Sequence, residues 1–155
     1  MATPTERLAE LGIALPAVAA PAGAYVPARR TGSLVFTAGQ VPFVDGKLAA
    51  AGKVGSAVDA GDAYGLARTC TLNALAAIDA LVGLDAVTGV VKVVGFVASA
   101  PGFTGQPGVV NGASDLLGEV FGEAGRHARS AVGVAELPLD APVEVELVVE
   151  VAGSS

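Results

Sequence analysis

Between Val143 and Val151 apolar and polar positions alternate almost without a break. Val143, Val145, Leu147, Val149 and Val151 fall on one face, and Glu144, Glu146, Val148 and Glu150 on the other. A period of two predicts a β-strand with one face in a core. The run from His127 predicts a second strand, small and apolar apart from Arg129, and Pro138-Leu139-Asp140-Ala141-Pro142 connects the two. An arginine and carboxylates on adjacent strands can hold a small polar ligand. The same pairing also describes a salt bridge across a solvated sheet face.

The earlier pattern supplies the remaining elements. Thr3-Pro4-Thr5-Glu6 opens a short helix that ends at Gly12, with Thr3 as N-cap and Glu6 reaching back. Pro16 to Pro21 is an extended lead-in. Ala24–Arg30 and Leu34–Ala38 read as strands around a Thr31-Gly32 turn, and Asp45-Gly46 marks a tight hairpin. A long helix is predicted over Asp59–Val82, where Leu66, Cys70, Asn73, Ala74, Ala77, Ile78 and Leu81 recur at three- and four-residue spacing. Gly83 ends it. Val87–Ala100 reads as a long strand in which Gly95 marks a bulge or a close approach. Pro101–Pro107 reads as a loop and Val110–Gly122 as a second helix. Together these predict an α+β domain, a single mixed sheet with two helices on one face. The other face is left to find a partner.

Composition sharpens that last point. Only 15% of the 155 residues are charged while 52% are hydrophobic, with no Trp, two Tyr and five Phe. Such a chain has little polar surface to cover itself, which points to apolar area buried between subunits. The net charge of −6, with nine basic residues scattered along the chain, disfavours nucleic acid as the main partner. The single cysteine, Cys70, lies on the apolar stripe of the long helix and reads as a small buried hydrophobe. The N-terminus lacks a secretory pattern, and Pro16, Pro21 and Pro27 break the apolar run behind it, so no membrane span is expected and the cytoplasm is the default.

Several chemistries find no support. One histidine, His127, cannot form a Cys/His metal cluster, and no metal site is expected. Between Arg126 and Arg129 it reads as a surface residue. No glycine pattern has dinucleotide or phosphate spacing. A Ser–His–Asp triad lacks an acid at readable spacing to orient that histidine.

In this order and spacing, a set of short pieces resembles the Rid family (reactive intermediate deaminases, also called YjgF-like proteins). They are Gly23-Ala24-Tyr25-Val26, Leu34-Val35-Phe36-Thr37-Ala38-Gly39-Gln40, Asn73, Val90-Val91-Lys92, Asn111, Ala128-Arg129-Ser130, Leu137-Pro138 and Val143-Glu144-Val145-Glu146. The likeness spans Gly23 to Val151. It divides the chain into an N-terminal extension with a short helix, 1–22, and a single Rid-like domain, 23–155. The resemblance implies the chorismate-mutase-like fold and a homotrimer whose sheets form a central β-barrel, with clefts between neighbouring subunits. It also implies hydrolysis of reactive enamines and imines to 2-keto acids and ammonia, with no cofactor.

Residue by residue, the resemblance makes Arg129 the group that holds a substrate carboxylate and Glu144 the one that positions or activates water. Tyr25 flanks the substrate, Asn111 is a polar cleft residue, and Gly39 lies where the backbone nears the ligand. Two departures alter the pocket. Ala38 stands where the family commonly has Ser, and Ala131 where it commonly has Cys, although a main-chain carbonyl at Ala131 remains available to a ligand. His127 stands where Pro commonly precedes Ala-Arg-Ser. Two other functions stay open: non-catalytic binding of a keto acid or other small carboxylate, and ribonuclease activity, which the acidic balance opposes.

Overall fold

The computed structural model describes residues 1–153; Ser154 and Ser155, the end of the predicted domain, lie outside the described residues. The N-terminal capping box forms: the Glu6 amide donates to Thr3 Oγ1 at 3.2 Å, and the Glu6 side chain accepts from the Thr3 amide. Helix α1 (Pro4–Glu10) follows and stops just short of Gly12. Strands β1 (Ala28–Thr31) and β2 (Leu34–Thr37) make an antiparallel hairpin. β1 begins later than predicted because the chain before it bonds to itself. The Tyr25 amide donates to the Gly23 carbonyl at 3.0 Å, and the Ala22 amide donates to the Tyr25 hydroxyl at 3.2 Å.

The Asp45-Gly46 turn joins β3 (Phe43–Val44) to β4 (Lys47–Leu48), and both turn residues have the positive φ that the tight hairpin requires. Asp59 caps helix α2 (Ala60–Val82), accepting from the Asp62 amide at 2.7 Å. After Gly83 come β5 (Val87–Ala98), helix α3 (Gln106–Phe121), β6 (Ala128–Val134) and β7 (Val143–Val151). Helix α3 starts a turn before the predicted position. Pro107 lies in its first turn, where a missing amide costs no helical bond, so the prolines there open the helix instead of delaying it.

The main sheet has the order β1-β2-β7-β5-β6. Its pairs are antiparallel except β5–β6, which is parallel and joined over α3. β7 is therefore central, and β5 separates it from β6. This corrects the expectation that the strand of Arg129 and the strand of Glu144 are adjacent. A parallel pair needs a crossover, which sends β6 to the outside of β5, while β7 takes the inner edge.

The apolar face of β7 is the floor of the core: Val143, Val145, Leu147, Val149 and Val151 are all buried. Helix α2 packs on β7 and α3 on β5 and β6, so both helices cover one face of the sheet, as predicted. By length and hydropathy α2 could cross a membrane, but it is a core helix packed against both the sheet and α3. Cys70 is fully buried in it, and burial, with a smaller push from the Glu144 charge, drives its thiol well above the ordinary range. Helix α1 joins the same core through buried Leu8, and Arg7 Nε donates to the Glu119 carbonyl of α3 at 3.1 Å. The opposite sheet face is bare: Phe36 beside Val148, and Val132 beside Phe96, lie on it with Phe36 45% and Val132 42% exposed.

Gly95 marks a close approach, a β-carbon there meeting Val110; the register shifts of β5 fall elsewhere, between Val87 and Gly89 and between Val90 and Lys92. Gly112 is where α2 and α3 touch most closely, since a β-carbon on it would strike the Tyr64 carbonyl. Gly112→Ala should therefore force the helices apart and destabilise by about 1–3 kcal/mol. Gly118→Ala, on the same helix but facing open space, should stabilise by roughly 0.5–1 kcal/mol. Urea unfolding of the two variants beside the wild type checks both signs.

Candidate active site

The predicted site residues form two clusters, one on each face of the sheet. Arg129 pairs in register with Val93, a fully buried residue of the helix-covered face. Its side chain lies against α3, where Nη1 donates to Asn111 Oδ1 at 2.8 Å and to Ser114 Oγ at 3.2 Å. Nη2 reaches the Pro107 carbonyl at 3.4 Å. No carboxylate pairs with Arg129 among the described residues. Ala131 lies two positions along the same face, beside Gly95 and partly packed on the core.

Two residues behind the arginine were not anticipated. Ser114 is three residues after Asn111 on α3, a spacing that puts both on one helix side, and that spacing was the signal available in the sequence. His127, read as a surface residue, is instead half-buried with both ring nitrogens engaged. Nε2 is 2.9 Å from Ser114 Oγ and Nδ1 is 2.7 Å from the Gly125 carbonyl. The expectation fails because the turn before β6 packs on α3, which folds the ring inward.

Glu144 heads the second cluster. It pairs with Phe96 on the bare face, one position from buried Val143 and Val145. Opposite it the β2 ladder is interrupted. The Leu147 amide donates to Thr37 Oγ1 at 3.0 Å, and main-chain pairing resumes only at Gln40–Val145. Ala38 and Gly39 bow out between these points. Gly39 then lies against the Glu144 carboxylate, so close that any β-carbon would collide with it. Burial, then repulsion from Glu146, raises the Glu144 pKa above the ordinary glutamate value.

Tyr25, half-exposed, completes this cluster around a cavity of about 220 Å³ whose wall includes Ala19 to Ala22, Val41 and Leu139. Glu144 is the one ionisable carboxylate in a lining that is otherwise mostly apolar. A larger hollow of about 450 Å³ shares Ala19, Ala20 and Phe43 with it but holds none of the predicted site residues. Asn73, at its edge, donates to the Val41 and Phe43 carbonyls at 3.1 Å each and so fixes the chain leading into β3. Among the described residues no three His, Cys, Asp or Glu side chains gather to hold a metal ion.

A mixed sheet with two helices on one face, an arginine held against α3 and a raised glutamate beside a bowed glycine define an α+β domain with one polar cluster on each sheet face. The chain belongs to the YjgF/chorismate mutase-like family, whose description adds "putative endoribonuclease" and which matches residues 5–151. Protein TCP17 of Trypanosoma cruzi is 47% identical over 145 residues, 92% of this chain and 91% of that protein. A crystal structure from Shewanella oneidensis bearing the same endoribonuclease description is 36% identical, with a TM-score of 0.93 over 97% of this chain and 100% of that one. Escherichia coli TdcF with bound serine is 28% identical, with a TM-score of 0.63 over 88% of this chain and 94% of that one.

Because its pKa is raised, folding favours the protonated form of Glu144. The native state should lose stability as pH climbs from the ordinary glutamate value, about 4.3, through the higher value in the fold. Glu144→Gln removes that charge and keeps the shape. The variant should melt above the wild type at neutral pH, and the gap should close as pH falls below about 4. Thermal melts across that interval check the sign.

Proposed function

We propose that the protein hydrolyses reactive 2-imino acids and their enamine tautomers to 2-keto acids and ammonia, in cytoplasmic homotrimers whose clefts are shared between subunits. The observation that carries this reading is Arg129. Its Nη1 is held from behind by Asn111 and Ser114, and among the described residues no carboxylate neutralises it. A guanidinium fixed in this way is matched to a ligand carboxylate.

Glu144 supplies the other half of the chemistry. As the carboxylate it takes a proton from water while the water oxygen attacks the imine carbon, and it passes that proton to the substrate nitrogen; the hydroxyl proton of the adduct follows to the same nitrogen. The resulting carbinolamine collapses, its C–N bond breaks, ammonia leaves and the carbonyl of the keto acid forms. Orientation and one base suffice for such a step. Because Arg129 and Glu144 occupy opposite faces of one sheet, a single chain does not bring them to one ligand. A second copy laid against the bare face and the exposed β6 edge supplies the missing half to each cleft, and this also covers Phe36 and Val132. The mostly apolar cavity lining favours imines with apolar side chains.

An amino-acid oxidase generating imines in the presence of semicarbazide tests the reading. The wild type should lower the trapped product, most for imines from leucine or methionine and least for those from charged amino acids. Arg129→Ala should lose about 10–100-fold in kcat/KM, as expected for a lost charge-assisted hydrogen-bonded pair. Glu144→Gln should lose about 10²–10⁴-fold in kcat. Refolding the two inactive variants together should restore part of the activity, because mixed trimers contain some clefts with both residues intact. No recovery sinks the shared cleft.

A second reading is binding of a small carboxylate without turnover. Ala38 and Ala131 favour it, as does the bound serine of TdcF, another carboxylate. Ligand binding that Arg129→Ala abolishes, with no effect on semicarbazide trapping for any imine, would replace the first reading with this one. The endoribonuclease description of relatives predicts RNA cleavage, which the net charge of −6 opposes.

A further inference from the structure

We propose that His127 is a positioning residue for Arg129, acting through Ser114, and that this relay sets which edge of the guanidinium meets a carboxylate ligand. The proposal rests on the reading of Arg129 as the carboxylate-holding group.

The chain has one histidine, and one contact of its ring selects the tautomer of the neutral form. A carbonyl only accepts, so the 2.7 Å contact to the Gly125 carbonyl places a hydrogen on Nδ1. In the neutral ring Nε2 is then an acceptor, and it takes the Ser114 hydroxyl proton at 2.9 Å. With that proton committed, the Ser114 lone pairs face Arg129, and Nη1 donates to them at 3.2 Å. A serine inside a helix otherwise tends to turn its hydroxyl to the carbonyl four residues back, here Val110. The carbonyl that selects the tautomer is itself held by packing, since Gly125 lies so close to the Leu117 carbonyl that a β-carbon would collide with it.

The consequence falls on Arg129. One Nη1 hydrogen goes to Asn111 and the other to Ser114, so both are directed into α3. Nη2 gives one hydrogen to the Pro107 carbonyl at 3.4 Å, so Nε and the other Nη2 hydrogen remain for a ligand, and together they form a bidentate fork for a carboxylate. A proline at 127, the residue commonly found there in the family, has no ring nitrogen to hold the serine.

The test uses the full chain, 2-oxobutyrate as the probe, and histidine labelled with ¹⁵N, which gives a single pair of ring resonances. In the free protein Nδ1 should be pyrrole-like and Nε2 pyridine-like, and 2-oxobutyrate should shift Nε2 in the wild type but not in Arg129→Ala. His127→Phe and Ser114→Ala should each weaken 2-oxobutyrate by about tenfold, the cost of one hydrogen bond to a charged group. They should raise KM for the imine by a similar factor with kcat within about twofold, as for loss of uniform binding. The double variant should be no worse than either single one, because both remove the same relay. Should His127→Phe not fold, Ser114→Ala carries the same comparison. A proton on Nε2, additive losses, or wild-type affinity in Ser114→Ala while Arg129→Ala loses the ligand would overturn the relay and leave the carboxylate reading intact. Wild-type affinity in Arg129→Ala would overturn that reading and the relay with it.

Discussion

The rest of the structure depends on the burial of one face of β7. Its five aliphatic side chains are buried under α2, with α3 beside it on β5 and β6, and because the strand has a period of two, the same constraint turns Glu144, Glu146, Val148 and Glu150 to the bare face. A shift of one residue in pairing would bury three carboxylates and expose the valines, so the register is strongly fixed. From it follow the positions of both halves of the site. Glu144 is placed directly. Arg129 is placed indirectly, because α3, seated on the buried face, carries the chain across to β6.

The features legible in the sequence are those decided within a few residues. Thr3 and Asp59 cap their helices, Asp45-Gly46 turns its hairpin, and Cys70 is a small buried hydrophobe on the stripe predicted for it. The alternation in Val143–Val151 is reproduced residue for residue. Strand order was not legible, because pairing between β7 and β5 is set by the path of the whole chain. The same periodic pattern fits β7 beside β6 as well as beyond it. That is why Arg129 and Glu144 looked like neighbours when they are separated by a strand and by the thickness of the sheet.

Of the site, the side chains with a strong chemical identity were legible and their supports were not. Arg129 beside Asn111, and Glu144 beside Gly39, are brought together as pairs. Ser114 and His127 were missed because neither type is unusual at its position. A serine in a helix reads as neutral filler, and a histidine between two arginines reads as solvated. Only the packing of the turn at Gly122–Gly125 on α3 brings them behind the guanidinium.

The separation of the two clusters gives the bare face a second meaning. The Glu144 carboxyl group is half-buried and near Glu146, and both raise its pKa, so the fold tilts it toward the neutral form. The guanidinium of Arg129 is in the reverse situation, a charge without a counter-charge among the described residues. In an assembly that brings one copy's arginine into the cleft of the next copy's glutamate, each relieves the other: the cation favours the carboxylate form, and the carboxylate screens the cation. A bound carboxylate then competes for the arginine and weakens its hold on Glu144. Ligand binding and the affinity of Glu144 for a proton would in this way rise together, coupled through one guanidinium. In the proposed reaction, the group that takes a proton from water would thus be made more basic when the substrate arrives, with no side chain required to move.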